Sequence, residues 1–82
     1  MHISHELQDE FSSQAGLIER LRNSNHDFGR LAARYEEVNR NIHRIEAEEE
    51  PAEDAVVEAF KKQRLQLKDE IASFLARVER RM

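Results

Sequence analysis

Two apolar stripes with the alternating 3-4 spacing of a heptad repeat flank the only proline of the chain, Pro51. This spacing predicts two amphipathic helices, each with an apolar seam that faces another helix. Since proline cannot continue a helix, the break between the helices is expected at Pro51. The residues that form the two stripes, and so the predicted hairpin core, are Phe28, Leu31, Tyr35, Val38, Ile42, Ile45, Val57, Phe60, Arg64, Leu67, Ile71, Phe74 and Val78.

A turn of only a few residues makes two long helices antiparallel neighbours. Ser24 can cap the first helix, and Asp27 stands where a capping-box acid belongs. Matching the stripes outward from the turn places Phe28 opposite Phe74. The predicted segments are a first arm at 25–47, a turn at 48–52 and a second arm at 53–79.

The first part of the chain, residues 1–23, has a weaker helical pattern that Ser12, Ser13 and Gly16 interrupt. We expect two short helices there, at about 3–11 and 13–23, folded back on the open end of the hairpin. The predicted fold class is therefore all-α. Residues 1–82 form a single domain, a long antiparallel two-helix hairpin of coiled-coil type with a short helical N-terminal segment.

Composition excludes several function classes. The chain has no cysteine, which rules out disulfides, thiolate zinc sites and thiol catalysis and fits a reducing compartment. Its two glycines are too far apart to build a phosphate-binding loop. No apolar run approaches the roughly 18 residues that a membrane span needs. We expect a cytoplasmic protein that uses no cofactor and does not enter a membrane.

Charge is strongly segregated along the chain. Residues 46–58 carry seven acids and no base, whereas residues 59–82 carry seven bases and three acids. The predicted hairpin is therefore dipolar, with an acidic tip and a basic C-terminal end. Three consecutive acids at the tip lack the ligand spacing of a calcium loop, and a solvated acidic tip is the favoured interpretation. The alternative is a recognition patch for a basic partner. These residues are Glu48, Glu49 and Glu50.

Catalytic and metal-binding patterns are weak. His2, His5 and Asp9 would share one face of a helix, but two histidines and one carboxylate near a chain terminus do not make a supported metal site, and we expect no metal. The serines have no histidine–aspartate arrangement at a meaningful spacing. A two-helix hairpin also offers no deep pocket for catalysis, so we expect no enzyme activity.

A second apolar stripe on the second arm predicts self-association. The first 23 residues can cover the part near Leu75, but they are poorly placed to reach Leu65. An uncovered apolar stripe is a candidate interface, and two hairpins joined there would form a twofold symmetric four-helix homodimer. The predicted self-association residues are Leu65, Ala72, Leu75 and Ala76.

Arg64 is the one charged residue of the seam. A polar seam residue lowers stability but fixes register and partner choice. The pairing places it near Val38, with Glu37 and Tyr35 within reach. From the sequence alone, Arg64→Leu is expected to raise thermal stability and to loosen oligomer specificity.

The arginine content of the first half suggests an alternative function, because arginine recognises phosphates. Six arginines occur there without any lysine: Arg20, Arg22, Arg30, Arg34, Arg40 and Arg44. Glu36 and Glu37 interleave with them, and the only tyrosine belongs to the seam, so no aromatic platform remains for base stacking. An RNA- or ribosome-associated role is therefore the alternative to protein–protein interaction, and nucleic acid is not the expected partner.

Two sequence runs carry a family resemblance. The run from Lys61 to Ile71, KKQRLQLKDEI, resembles the signature of the YdcH-like family of small bacterial proteins. The stripe from Phe28 to Glu46 and the Glu50-Pro51 turn are similar to that family as well, so the resemblance covers about 17–76. It implies a small cytoplasmic helical hairpin without an established biochemical activity.

Overall fold

The two apolar stripes form the two longest helices of the protein. In a computed structural model, which describes residues 6–47 and 52–81, they are α3 (His26–Glu46) and α4 (Asp54–Arg80). The predicted arms at 25–47 and 53–79 differ from these helices by one residue at each end. The agreement is close because heptad periodicity persists over the whole length of both helices.

Helices α3 and α4 pack against each other, and the predicted all-α hairpin is confirmed. At one end of the seam, the rings of Phe28 and Phe74 lie 5.2 Å apart. Towards the other end, the ammonium group of Lys61 lies 3.8 Å from a carboxylate oxygen of Glu46. No strand occurs within residues 6–47 and 52–81. The molecule is elongated, with principal extents of 45 × 24 × 18 Å.

The N-terminal segment consists of α1 (Leu7–Glu10), a single 3-10 turn (Ser12–Gln14) and α2 (Ala15–Ser24). The first predicted short helix, at about 3–11, begins in residues that lie outside the described part of the chain. Leu7 and Ile18 are fully buried in the same core cluster as the hairpin residues. The segment is therefore an integral third layer of the core.

The N-cap of α3 differs from the predicted one. The side-chain oxygen of Asn25 accepts a hydrogen bond of 3.0 Å from the backbone N–H of Phe28. Ser24, the predicted cap, is still the last residue of α2, and its hydroxyl donates to the carbonyl of Arg20 instead. A serine at the end of a helix commonly bonds to the carbonyl four residues earlier, which leaves the cap to the next extended residue.

The core combines the hairpin seam with side chains that the heptad pattern does not include. All thirteen predicted core residues are buried or half-buried. Leu75, predicted as a self-association residue, is fully buried in the core cluster, so it cannot contact a second chain. The same cluster contains Leu7 and Ile18 of the N-terminal segment. The buried residues outside the predicted core are Leu7, Ile18, Ala32, Asn39 and Leu75.

Candidate interaction surface

The N-terminal segment covers only one flank of the α3–α4 hairpin. It is fixed there by polar contacts at both helices as well as by its buried apolar residues. Lys68 and Glu79 are the contact points on α4, and Glu36 is the contact point on α3. The contacts are Lys68 Nζ to Glu10 Oε2 at 3.2 Å, Gln14 Nε2 to Glu79 Oε1 at 2.8 Å, and Arg22 Nη1 to Glu36 Oε2 at 3.0 Å.

The opposite flank of the hairpin forms a groove that we call the open face. Its floor is made by four large apolar residues that are only half-buried: Leu31 and Val38 from α3, and Phe60 and Phe74 from α4. Leu31 and Val38 are seven residues apart, and Phe60 and Phe74 are fourteen apart, so each pair recurs on one side of its helix. The open face is therefore a groove between two helices in which half-buried apolar side chains alternate with polar ones.

Two adjoining cavities make up this groove, with volumes of about 510 and 430 Å³. Gln66 and Glu70 line both cavities, so the two are continuous along α4. Arg34 and Glu37 form the rim on α3. Near the end of the groove, the guanidinium of Arg77 lies 5.6 Å from the centroid of the Phe74 ring, at cation–π distance. The rim carries both signs of charge around an apolar floor, as protein interfaces do.

Sequence reasoning did not identify the open face. It assigned Leu31, Val38, Phe60 and Phe74 to the seam, and they do lie beside it. A heptad pattern shows which side of a helix is apolar, but it does not show where a third layer packs. No signal in the heptad pattern separates the covered flank from the open one.

A polar pair lies within the hairpin seam. Arg64 Nη1 donates a hydrogen bond of 3.0 Å to Oδ1 of Asn39, whose exposed fraction is only 5%. The sequence placed Arg64 near Val38 with Glu37 and Tyr35 as partners, and the hydrogen-bond partner is instead the next residue along α3. The hydrogen bond between the buried amide of Asn39 and the half-buried guanidinium of Arg64 fixes the register of α3 against α4.

Tyr35 lies beneath the N-terminal segment and is fully buried. Burial is the main cause that raises the pKa of Tyr35 to about 12, and the negative charges of Glu10 and Glu6 add to it against the opposing charge of Arg64. In the unfolded chain the phenol ionises near its ordinary value of 10.0. Between these two values the unfolded state loses its proton first, so stability falls as the pH rises.

We therefore expect the stability that Tyr35 contributes to be intact below about pH 10 and to be lost progressively up to about pH 12. The loss amounts to roughly 1.4 kcal/mol per pH unit across this interval. Tyr35 is the only tyrosine, and the chain has no tryptophan, so the ultraviolet absorbance of tyrosinate reports on this one group. A titration of the folded protein with the midpoint of a free tyrosine would contradict the buried environment.

The predicted self-association stripe divides into an exposed part and a buried part. Leu65 is 60% exposed and is the most exposed large apolar residue among those described. Ala72 and Ala76 are exposed on the same side of α4, whereas Leu75 is buried. The remaining surface stripe has one exposed large apolar side chain and two exposed alanines.

Other predicted sites are only partly described. The candidate recognition tip, Glu48, Glu49 and Glu50, lies outside the described residues, and so do His2 and His5. Within the described ranges, no three or more histidine, cysteine or acidic side chains cluster so that they could hold a metal ion. None of the helices in that part of the chain combines the length and the hydrophobicity needed to cross a membrane.

Four arginines of α3 are exposed along its outer side. Arg30, Arg34, Arg40 and Arg44 extend over 15 residues, a span of roughly 21 Å along the helix. Arg44 donates to the side-chain oxygen of Asn41 on the preceding turn. Glu37 interrupts the row, as the sequence indicated. We call this surface the arginine row.

Comparison with known protein families identifies the hairpin as the family-defining part of the molecule. A family model described as a protein of unknown function, DUF465, matches residues 28–75. The chain belongs to the DUF465 family. The YdcH-like resemblance of the sequence is consistent with this membership. No curated protein and no solved structure matches the chain.

The DUF465 match begins at Phe28 in the first turn of α3 and ends at Leu75 in α4. It therefore includes every residue of the open-face floor and leaves α1 and α2 outside. The family description gives no function, so the function has to be argued from the surfaces of this hairpin.

Proposed function

We propose that this DUF465 protein is a non-enzymatic interaction module that acts through protein–protein contact, and that its first partner is a second copy of itself. The observation that carries the proposal is the one-sided cover of the hairpin. The N-terminal segment buries one flank, while Leu31, Val38, Phe60 and Phe74 remain half-buried on the other. A groove with apolar residues at its floor and charged residues of both signs at its rim has the mixed composition of a protein interface.

The shape of the groove supports a binding role over a catalytic one. Both cavities are shallow and open to solvent along their length, and their polar side chains stand at the rim. Catalysis by carboxylates or nucleophiles relies on groups that are desolvated and held in a pocket. A cysteine-free chain also suits a reducing compartment, and the proposal places the protein in the cytoplasm.

Light scattering on the purified protein at tens of micromolar tests self-association. We expect a mass of twice 9.7 kDa. Association through apolar surface should persist at high salt, because salt screens charges but does not weaken hydrophobic contact. A mass of 9.7 kDa at every concentration measured would reject the proposal.

The arginine row supports a second candidate function, association with RNA. Its exposed guanidinium groups have the chemistry that binds phosphates. Binding of this kind weakens steeply with salt because bound counterions are released. Affinity purification of the tagged protein with and without nuclease separates the two functions. Partners lost on nuclease treatment support RNA association, and partners retained support protein contact.

A further inference from the structure

A single residue joins the N-terminal segment to the hairpin. Helix α2 ends at Ser24 and α3 begins at His26, and Asn25 between them is extended, with φ −126° and ψ 113°. We propose that this junction lets two copies exchange their N-terminal segments, so that each segment packs on the hairpin of the partner. The inference rests on the proposed self-association and assigns to it a contact on the flank opposite the open face.

The N-terminal segment and the flank beneath it are complementary apolar surfaces. Leu7 and Ile18 are fully buried in one cluster with residues of both hairpin helices, and Phe11, Leu17 and Leu21 pack against that cluster. A segment that leaves its own hairpin exposes this surface, and the identical flank of a second copy can bury it again. Because the same side-chain contacts form in both arrangements, the two differ mainly at the junction and in the entropy of association.

The junction has an alternative conformation in which α2 and α3 form one helix. The N–H of Asn25 already donates to the carbonyl of Leu21 at 2.8 Å, which is the helical pattern. Helical angles at Asn25 would continue this pattern through His26 and Asp27, since the first N–H groups of a separate helix lack a helical acceptor. One helix would then extend from 15 to 46.

A continuous helix prevents the segment from packing on its own hairpin. Ala15 would lie 13 residues, or roughly 20 Å, outward from Phe28. Phe28 stacks near Phe74, and Lys68 lies six residues of α4 in the opposite direction, or roughly 9 Å inward. The five residues from Ala15 back to Glu10 span at most about 18 Å. Glu10 therefore reaches only the Lys68 of a second copy.

The closed arrangement, in which the segment packs on its own hairpin, is least well satisfied at the junction. Nε and Nη2 of Arg22 are buried there and have no hydrogen-bond partner among the described residues, while Nη1 donates to Glu36. Buried donors without an acceptor lower stability. The side chain of Asn25 supplies one cap, to the N–H of Phe28. The junction is therefore the place where the closed arrangement opens most easily.

Two existing ion pairs can report on exchange. Lys68 Nζ lies 3.2 Å from Glu10 Oε2 and joins the segment to the hairpin, whereas Lys61 Nζ lies 3.8 Å from Glu46 Oε2 within the hairpin. A carbodiimide converts such pairs into amides. Unlabelled and ¹⁵N-labelled protein are mixed in equal amounts, unfolded, refolded together, cross-linked and digested for mass spectrometry. We expect roughly half of the Glu10–Lys68 products to combine both isotopes, as twofold exchange requires. The Glu46–Lys61 products should each carry one isotope, because this contact stays within a chain.

Proline at position 26 tests the junction itself. His26 is the first residue of α3, where proline is well tolerated, and proline keeps the preceding residue extended, as Asn25 is in the closed arrangement. We therefore expect His26→Pro to fold, as circular dichroism can check, and to have a mass of 9.7 kDa by light scattering. The matched variant His26→Ala removes the same exposed side chain without this restriction and should keep the dimeric mass.

The possible results separate the exchange from the proposed function. A dimer in which every Glu10–Lys68 product carries one isotope would overturn the exchange and leave self-association standing. A dimeric His26→Pro would overturn the continuous helix as the route of exchange. A parent protein that is monomeric at every concentration would overturn self-association and the exchange together. The isotope experiment uses the natural sequence, so it decides the matter even if His26→Pro does not fold.

Discussion

Leu75→Glu is expected to leave the protein largely unfolded at room temperature, whereas Leu65→Glu should melt close to the parent protein. Leu75 is fully buried in the core cluster that also holds Leu7 and Ile18 of the N-terminal segment, and Leu65 is 60% exposed on the same helix. Loss of a buried leucine costs about 2–5 kcal/mol. An unpaired carboxylate in its place adds several kcal/mol more.

The expected loss matches or exceeds the whole stability of a domain of this size. Native proteins are stable by about 0.05–0.15 kcal/mol per residue, which is roughly 4–12 kcal/mol for 82 residues. The exposed substitution at Leu65 should change stability by only about 0.5 kcal/mol.

Thermal melts followed by far-ultraviolet circular dichroism, at one fixed chain concentration, measure both variants. Leu75→Ala serves as an intermediate case, because it removes the packing without adding a charge. If Leu75→Glu melts with the parent, the N-terminal segment does not cover this part of α4. If Leu65→Glu unfolds the chain, Leu65 is not a surface residue.

Leu65 and Leu75 also show which features of this protein can be predicted from its sequence and which cannot. Heptad spacing predicts α3 and α4 to within one residue, because the apolar positions repeat over six or seven turns of each helix. The same periodicity places Phe28 opposite Phe74 correctly. It does not separate Leu65 from Leu75, since both lie off the seam. Their environments differ because of where a short, weakly patterned segment packs.

The N-terminal segment was the least predictable part of the fold. Its helices are short, and it is held by contacts with distant residues, such as Leu7 and Ile18 in the hairpin core and Glu10 with Lys68. Local sequence carries little information on such contacts. The open face exists only because this segment covers one flank and not the other. A reading of α3 and α4 alone could therefore not find it.

The pairing of Arg64 shows a similar limit at the level of a single side chain. The apolar stripe of α4 predicted that Arg64 is the charged residue of the seam. The predicted pairing of the two helices placed Arg64 near Val38, one residue before its hydrogen-bond partner Asn39. Asn39 was missed because an asparagine inside a helix gives no periodic apolar signal. The hydrogen bond between these two residues changes the expected effect of replacing either one.

Arg64→Leu is now expected to lower stability by about 1–3 kcal/mol, because it leaves the buried amide of Asn39 without its donor. The sequence alone suggested the opposite sign, since a lone charge at a seam position was expected to lower stability. Asn39→Leu should also be destabilising, because the half-buried guanidinium of Arg64 loses its acceptor. For a domain of this size, each kcal/mol lowers the melting temperature by roughly 4–8 °C.

The double variant Asn39→Leu with Arg64→Leu is expected to be at least as stable as the parent. It removes both polar groups together and replaces them with apolar side chains that pack across the seam, and exchanges of this kind are often neutral or stabilising. The coupling energy from the four melting curves should therefore be large, in the range of about 0.5–3 kcal/mol for residues in contact. Additive effects would show that the hydrogen bond contributes nothing to folding.

The same double variant tests whether the polar pair fixes the register of the hairpin and its partner choice. A uniformly apolar seam accepts several registers and association states, whereas a buried polar pair is satisfied in only one of them. We therefore expect the double variant to show a mixture of oligomers by light scattering and a broader melting transition, despite its higher stability. A single species with the mass of the parent and a sharp melting transition would show instead that the apolar residues fix the register, through the contact of Phe28 with Phe74.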